Sequence, residues 1–219
     1  MIYRVKNLCL KSQAALNDFH PKIINFLTDL SDSAPCTVKG LIKCHKPARP
    51  DGKHDIRLLL ASTNTPTKPA STLFQFAIAH IFPHLECKMK DTKAILNRIL
   101  EIRERFPNGL PETAINIGCN VKKLYPSIDS EMGLAAVKKW LQRFPNPDGL
   151  PLQFIMDLGQ ICVEENACEF LDRFFCPNCG TATGPPHACD FADSFMGELD
   201  KEIVTELDST GVENTGWTL

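Results

Sequence analysis

The 219-residue sequence has no strong excess of either charge, no long apolar run and no signal-peptide pattern at its start. A formal net charge of -2 gives no compositional reason to expect a nucleic-acid or membrane partner. The longest apolar run, at 73–82, contains Gln75 and His80 and is only about half a membrane span. With a hydrophobic content of 43%, these absences predict a soluble, intracellular protein with a real core.

Charge is unevenly distributed along the chain even though the total is nearly neutral. Six Lys or Arg residues lie between Val38 and Arg57, against two acids, whereas eight acids and the single Lys201 lie from Asp190 onward. A basic segment and an acidic end are therefore expected. Taken alone, the basic segment is more typical of an exposed strand face that carries solubilising charge.

The cysteines follow no repeated spacing. Ten of them are scattered along the chain, and nothing in the sequence indicates an oxidising compartment. We therefore expect most of them to be reduced, buried and to act as small hydrophobic side chains.

Apolar periodicity and turn residues predict a mixed α/β chain. We expect helices at 70–82, 92–106, 131–143, 152–164 and 187–206, after a helical N-terminal lead that is interrupted at Pro21. Strands are expected at 38–46, 55–61 and 115–121, with a small hairpin at 168–176. The first two strands would form a basic hairpin.

Two helices carry more detailed expectations. Ser130 is the predicted N-cap of the helix at 131–143. The last helix is predicted to bury an i, i+4 stripe made by Phe191, Phe195, Leu199 and Ile203. Beyond it, 207–219 show no periodicity and are expected to be a disordered tail.

Three stretches, taken in order, resemble one family. They read GLIKCHKP with IRLLLASTNTPT, then CNVKKLYPSID, then GTATGPPHACDFADSFMGELD. Together they resemble the reverse transcriptase, or RNA-directed DNA polymerase, domain of Penelope-like retroelements. The resemblance covers about 38–200, and it implies the fingers and partial palm of a right-hand polymerase, an α/β (α+β) fold with a sheet packed by helices.

The resemblance also implies a division of the chain and a set of partners. Residues 1–35 would be the helical lead, 36–112 a fingers-like region, 113–206 a partial palm and 207–219 the tail. The family reaction is RNA-templated DNA synthesis, so the implied partners are RNA or an RNA/DNA duplex and a deoxynucleoside triphosphate. A nuclear location is the family expectation.

The same resemblance assigns binding roles to five residues. Lys43, Lys46 and Arg57 match positions whose cations neutralise the triphosphate and touch the template backbone. Gly180 and Gly184 match glycines that let the backbone approach the base pair. Two departures weaken the nucleotide contact, because Cys179 stands where the family has Gln and His187 where it has Met.

The implied catalytic centre is incomplete. Tyr125 matches the aromatic residue that packs under the sugar, but Asn120 occupies the position of the family's first metal-binding Asp. Family members bind two Mg²⁺ ions through carboxylates, and a neutral Asn oxygen is a poor substitute. No Asp-Asp pair follows Leu199, and Asp129 is better explained by the helix dipole. We therefore expect an inactive, truncated copy with doubtful Mg²⁺ binding.

Two alternatives come from other classes. Cys176, Cys179, His187 and Cys189 offer four ligands for a tetrahedral zinc site, which would make the protein a zinc-stabilised nucleic-acid-binding module. A Cys/His hydrolase is the third interpretation, although no cysteine has a local nucleophile signature. Zinc content and the effect of a chelator on folding would distinguish the module from the polymerase remnant.

Overall fold

The computed structural model describes residues 2–16, 20–29, 33–44, 46–85, 88–115, 118, 120–176 and 180–211. Within them the fold is mixed α/β. The helices are α1 (Ile2–Lys11), α2 (Gln13–Leu16), α3 (His20–Thr28), α4 (Lys68–Ile78), α5 (Thr92–Arg105), α6 (Leu124–Ser127), α7 (Ser130–Arg143), α8 (Leu152–Glu164) and α9 (Ala188–Ser209). The strands are β1 (Cys36–Ile42), β2 (Ile56–Ala61), β3 (Cys168–Phe170) and β4 (Arg173–Phe175).

The four strands form one sheet in the order β2-β1-β3-β4. β1 and β2 are antiparallel from Thr37↔Ala61 to Ile42↔Ile56, and β3 joins β1 in parallel at Cys36↔Cys168. β4 closes the second hairpin, antiparallel to β3. Both predicted hairpins are confirmed. β1 ends at Ile42, and one further backbone hydrogen bond, from the Lys43 amide to the Asp55 carbonyl oxygen, continues the pairing in the same register.

The core lies mainly between the helices. α4 packs against α8, and α7 packs against both α8 and α9. The largest fully buried side chains are Trp140, Phe74, Phe154 and Phe191, and the Trp140 indole donates a 3.0 Å hydrogen bond to the Ser194 carbonyl oxygen. Fully buried aromatic side chains of this size each stabilise a fold by roughly 2 to 3 kcal/mol.

The longer helices agree with the prediction to within a few residues. α5, α7 and α8 begin and end where the periodicity indicates, whereas the predicted helix at 70–82 continues as a 3-10 helix, Ala79–His84. Pro83 lies inside that last turn, and its missing N–H and fixed ring disfavour a continued α-helix. α9 extends to Ser209, so 207–209 are helical and not part of the predicted tail, while 212–219 lie outside the described residues.

The predicted strand at 115–121 is not found in the part of that segment the structure describes. Ile115, Gly118, Asn120 and Val121 belong to no strand, and residues 116, 117 and 119 lie outside the described set. Ile115 is 83% exposed and Val121 47% exposed, so this segment is not the interior of a sheet. A strand forms only beside a neighbour that accepts its backbone hydrogen bonds, and the described four-stranded sheet does not extend here.

Two further helix details differ from the prediction. Asp129, not Ser130, is the N-cap of α7, because its carboxylate accepts hydrogen bonds from the amides of Glu131 and Met132 at 2.9 and 3.0 Å. In α9 the stripe is only half buried, since Phe191 is fully covered but Leu199 is 37% exposed. Among the described residues, no helix combines the length and apolarity needed to cross a membrane.

Candidate functional site

The segment 180–187, called here the glycine loop, lies against the end of β2. The amide of Leu60 donates a 2.8 Å hydrogen bond to the carbonyl oxygen of Thr183. Two residues further, the Ser62 hydroxyl donates a 2.9 Å hydrogen bond to the carbonyl oxygen of Gly184. These bonds join the basic hairpin to a segment more than a hundred residues later in the chain.

Close backbone approach requires glycine at two positions of the loop. Gly184 has φ +131°, and a Cβ atom there would lie 2.0 Å from the Leu60 carbonyl oxygen. Gly180 has φ +78°, and its Cβ would lie 2.5 Å from the α-carbon of Pro126. A side chain at either position would displace backbone, so the loop can pack this tightly only with glycine.

Tyr125, in α6, contacts both the glycine loop and the start of α9. Its carbonyl oxygen accepts a 2.9 Å hydrogen bond from the Thr181 amide, and its phenol oxygen is 3.4 Å from the Sγ of Cys189 at the start of α9. Burial, then the hydrogen bond to Cys189, raise the pKa of Tyr125 to about 12. The positive charge of Arg57 opposes this rise in the pKa, because a nearby cation favours the phenolate.

His187 connects the end of the glycine loop to α4. Its Nδ1 is 2.7 Å from the Ser71 hydroxyl, which also accepts a 3.3 Å hydrogen bond from the His187 amide. The ring packs between Phe74 and Phe191, with ring centroids 5.6 and 6.2 Å away. Burial lowers the pKa of His187 to about 4, so the imidazole is neutral at physiological pH.

The structure brings together four of the predicted site residues and leaves three apart. Arg57, Tyr125, Gly180 and Gly184 surround the start of α9. Lys43 and Lys46 lie at the turn end of the hairpin; Lys43 follows Ile42, which pairs with Ile56, four residues and roughly 13 Å along the strand from Leu60. Asn120 is exposed and precedes α6 by a turn.

The charges of the hairpin are divided between its turn and one face. Lys39 pairs with Leu59 and Leu41 with Arg57, which puts both cations on the same face of the sheet. At the turn, Arg49 forms an ion pair with Asp55, and this contact lowers the pKa of Asp55 below its ordinary value, with smaller contributions from Lys43 and Lys46. Arg57 lies on this face, and its positive charge acts on the Tyr125 phenol.

The proposed zinc ligands are not brought together in the part of the chain that the structure describes. Cys176 Sγ contacts the Glu164 carbonyl oxygen at 3.9 Å, His187 is held by Ser71, and Cys189 lies beside Tyr125. No group of three or more potential metal ligands occurs among the described residues. Cys179 lies outside them.

Sequence reasoning did not find Ser62 and Ser71. Their roles come from hydrogen bonds to Gly184 and His187 across more than a hundred residues. A serine near a strand end or inside a helix has no local signal that distinguishes it from an ordinary surface residue.

Comparison of the chain with protein-family models, with curated proteins and with solved structures finds no match.

Proposed function

We propose that this chain is a reverse-transcriptase-type domain that binds RNA or an RNA/DNA duplex and does not extend a primer by itself. One observation supports the proposal above the rest. The three family-like motifs lie in distant segments of the chain, and their residues Arg57, Tyr125 and the glycine loop lie around the start of α9. A polymerase of this type needs the same three elements around a primer terminus.

The chemistry of the residues is consistent with holding a nucleic-acid backbone. Arg57 and Lys39 present two cations on one exposed face, where phosphate oxygens can be contacted without reading the sequence. The glycine loop packs its own backbone on Leu60 and Pro126, so its glycines hold the basic hairpin next to α6 and the start of α9.

The donor set does not fit a pair of Mg²⁺ ions. The position of the family's first carboxylate carries Asn120, and the 219 residues contain no Asp-Asp pair. Among the described residues no cluster of three acidic or other ligands forms near Tyr125. Mg²⁺ binds anionic oxygens in a strict octahedral geometry, which an Asn oxygen and the described residues around Tyr125 do not provide.

Binding can be tested by fluorescence anisotropy with a labelled RNA/DNA hybrid at two salt concentrations. We expect Arg57→Ala to weaken binding by about tenfold at low salt and to reduce the salt slope by about 1, because one phosphate contact is lost. Arg173→Ala is the matched control, since Arg173 is exposed on the same sheet but on the face that carries Val38. It should bind like the unmodified chain.

Three results would overturn the proposal. They are absent binding, salt-independent binding, and an equal loss with Arg57→Ala and Arg173→Ala. A separate primer-extension assay with Mg²⁺ tests the inactivity, and template-dependent product from the purified chain would show that other residues hold the metals.

A further inference from the structure

Three cysteines lie near one another where the two hairpins of the sheet meet. Cys36 is the first residue of β1, Cys168 is the first residue of β3, and Cys176 follows the last residue of β4. All three are free thiols. The sequence gives no reason to group them, because Cys36 and Cys168 are more than a hundred residues apart. The sheet is what brings them together.

The two hairpins are joined to each other by a short parallel pairing. Within the described strands, β1 and β2 pair at six positions, whereas β1 and β3 pair at two, Cys36↔Cys168 and Thr37↔Glu169. One of these two pairs is a pair of cysteines. Because a ladder of two residue pairs contributes few backbone hydrogen bonds, the basic hairpin and the β3–β4 hairpin are weakly tied at this junction.

The register makes Cys36 and Cys168 direct neighbours on one face of the sheet. Neighbouring strands lie about 4.8 Å apart, and residues that pair in register point to the same face. Two cysteines can be bridged without backbone movement when their α-carbons are about 4.4 to 6.8 Å apart. Cys36 and Cys168 therefore have the spacing, and share the face, that a disulfide requires.

Cys168 has a second neighbouring thiol, that of Cys176. Burial, then the charge of Cys168, raise the pKa of Cys36, and burial, then the charge of Cys176, raise the pKa of Cys168. The register favours Cys36 as the partner, since the residue of β4 that pairs with Cys168 is Phe175. The Sγ of Cys176 instead contacts the Glu164 carbonyl oxygen, at 3.9 Å.

The two thiols differ in exposure, and this difference sets the order in which they react. Cys36 is partly exposed, whereas Cys168 is 6% exposed. A small disulfide such as oxidised glutathione therefore reaches Cys36 first. Because the thiolate is the attacking species, thiols with a raised pKa exchange slowly at neutral pH and faster at about pH 8.5.

We propose that Cys36 and Cys168 are a redox-active pair that forms a disulfide across the junction of β1 and β3 when a low-molecular-weight disulfide is present. The Cys36 thiolate attacks one sulfur of oxidised glutathione, which gives a mixed disulfide and releases one glutathione. The Cys168 thiolate then attacks the Cys36 sulfur and releases the second glutathione. The two cysteines are oxidised, the glutathione disulfide is reduced, and the two thiol protons pass to the released glutathione molecules.

The bridge locks the basic hairpin to the β3–β4 hairpin. It adds a covalent link to a junction of two residue pairs, and it closes a loop of more than a hundred residues in the unfolded chain. The oxidised chain therefore resists unfolding better than the reduced chain. The bridge involves neither Arg57 nor a bound nucleic acid, so its test is independent of the nucleic-acid-binding assay.

Peptide mapping after oxidation tests the pairing. The full chain is incubated with oxidised glutathione at about pH 8.5, free thiols are alkylated, and the monomer is digested with trypsin and a glutamate-specific protease without reduction. The second protease separates Cys162 from Cys168 by cutting after Glu164 and Glu165. We expect a cross-linked pair of peptides that carry Cys36 and Cys168 and that a reducing agent separates. The oxidised chain should also unfold at a higher urea concentration than the reduced chain.

Two variants test the order of the steps. In Cys168→Ala, Cys36 should keep one bound glutathione, because the thiol that resolves the mixed disulfide is gone. Cys44→Ala is the matched control, since Cys44 is an exposed cysteine that follows β1 on the same hairpin, and its removal should leave the bridge intact.

Four results would overturn the proposal. They are the absence of a Cys36–Cys168 bridge in the oxidised chain, a bridge from Cys168 to Cys176 in its place, a bridge that forms only between chains, and an oxidised chain that unfolds at the same urea concentration as the reduced one. The first three are read from the unmodified chain, so they do not depend on the folding of a variant.

Discussion

Gly184 packs directly on the backbone of Leu60, so closely that a Cβ atom at Gly184 would lie 2.0 Å from the Leu60 carbonyl oxygen. The neighbouring hydrogen bond from the Leu60 amide to Thr183 fixes the same contact. The basic hairpin and the start of α9 are therefore one unit. A disturbance at Gly184 should affect both.

We expect Gly184→Ala to lower the free energy of unfolding by about 3 kcal/mol or more, because the methyl group must displace backbone and φ +131° is strained for alanine. Gly52→Ala is the control, since Gly52 also has a positive φ, +76°, but its Cβ would meet nothing within 4 Å. That change should cost about 1 kcal/mol. Urea denaturation measures both, and equal losses would show that Leu60 is not a rigid obstacle.

His187 should make stability depend on pH. Its pKa is about 4 in the folded chain and about 6.5 when unfolded, so the unfolded chain binds the proton first as pH falls. The stability that neutral, buried His187 contributes is therefore fully present above the unfolded pKa of about 6.5. It decreases as the pH falls towards 4, and below pH 4 it no longer changes with pH. Between pH 7 and pH 5 we expect a loss of about 2 kcal/mol from this group.

Urea denaturation at several pH values shows whether His187 is the residue responsible for this pH dependence. His187→Gln should flatten the slope between about pH 7 and pH 5, because Gln keeps a polar group near Ser71 but does not titrate. His54→Gln, at an exposed position in the hairpin turn, is the matched histidine control. An unaltered slope in His187→Gln would assign the pH dependence to other groups.

The N-cap of α7 offers a comparison of adjacent residues. Asp129→Ala removes the acceptor of the Glu131 and Met132 amides and should lower the free energy of unfolding by about 1 kcal/mol. Ser130→Ala should change it by less than about 0.5 kcal/mol, because Ser130 is the first helical residue and not the cap. A larger loss at Ser130 would contradict the assigned cap.

Chelator treatment tests the zinc alternative. We expect the purified chain to contain less than one zinc per molecule and to unfold at the same urea concentration with or without chelator. The reason is that Nδ1 of His187 already contacts Ser71 and that the imidazole is buried between Phe74 and Phe191. Stoichiometric zinc whose removal unfolds the protein would instead support the module with Cys176 and Cys189.

The sequence predicted local features well where the signal acts over a few residues. α5, α7 and α8 have clear 3.6-residue periodicity, and the turn between β1 and β2 has Pro, Asp and Gly. The strand at 115–121 failed because its apolar residues meet no described neighbouring strand. The prediction that α9 buries its apolar stripe was right at Phe191 and wrong at Leu199. Periodicity shows that a helix has an apolar side, but not how far along the helix the core extends.

By itself the sequence determined the longer helices, the two hairpins, the acidic end and the glycines at 180 and 184. Those properties come from propensity, periodicity and charge, which are encoded residue by residue. Only the tertiary structure decided that Arg57, Tyr125 and Gly184 lie around the start of α9, that Ser71 holds His187, and that Cys36 lies beside Cys168 in the sheet. Such relationships depend on which surfaces pack together across more than a hundred residues, and no local interaction encodes them.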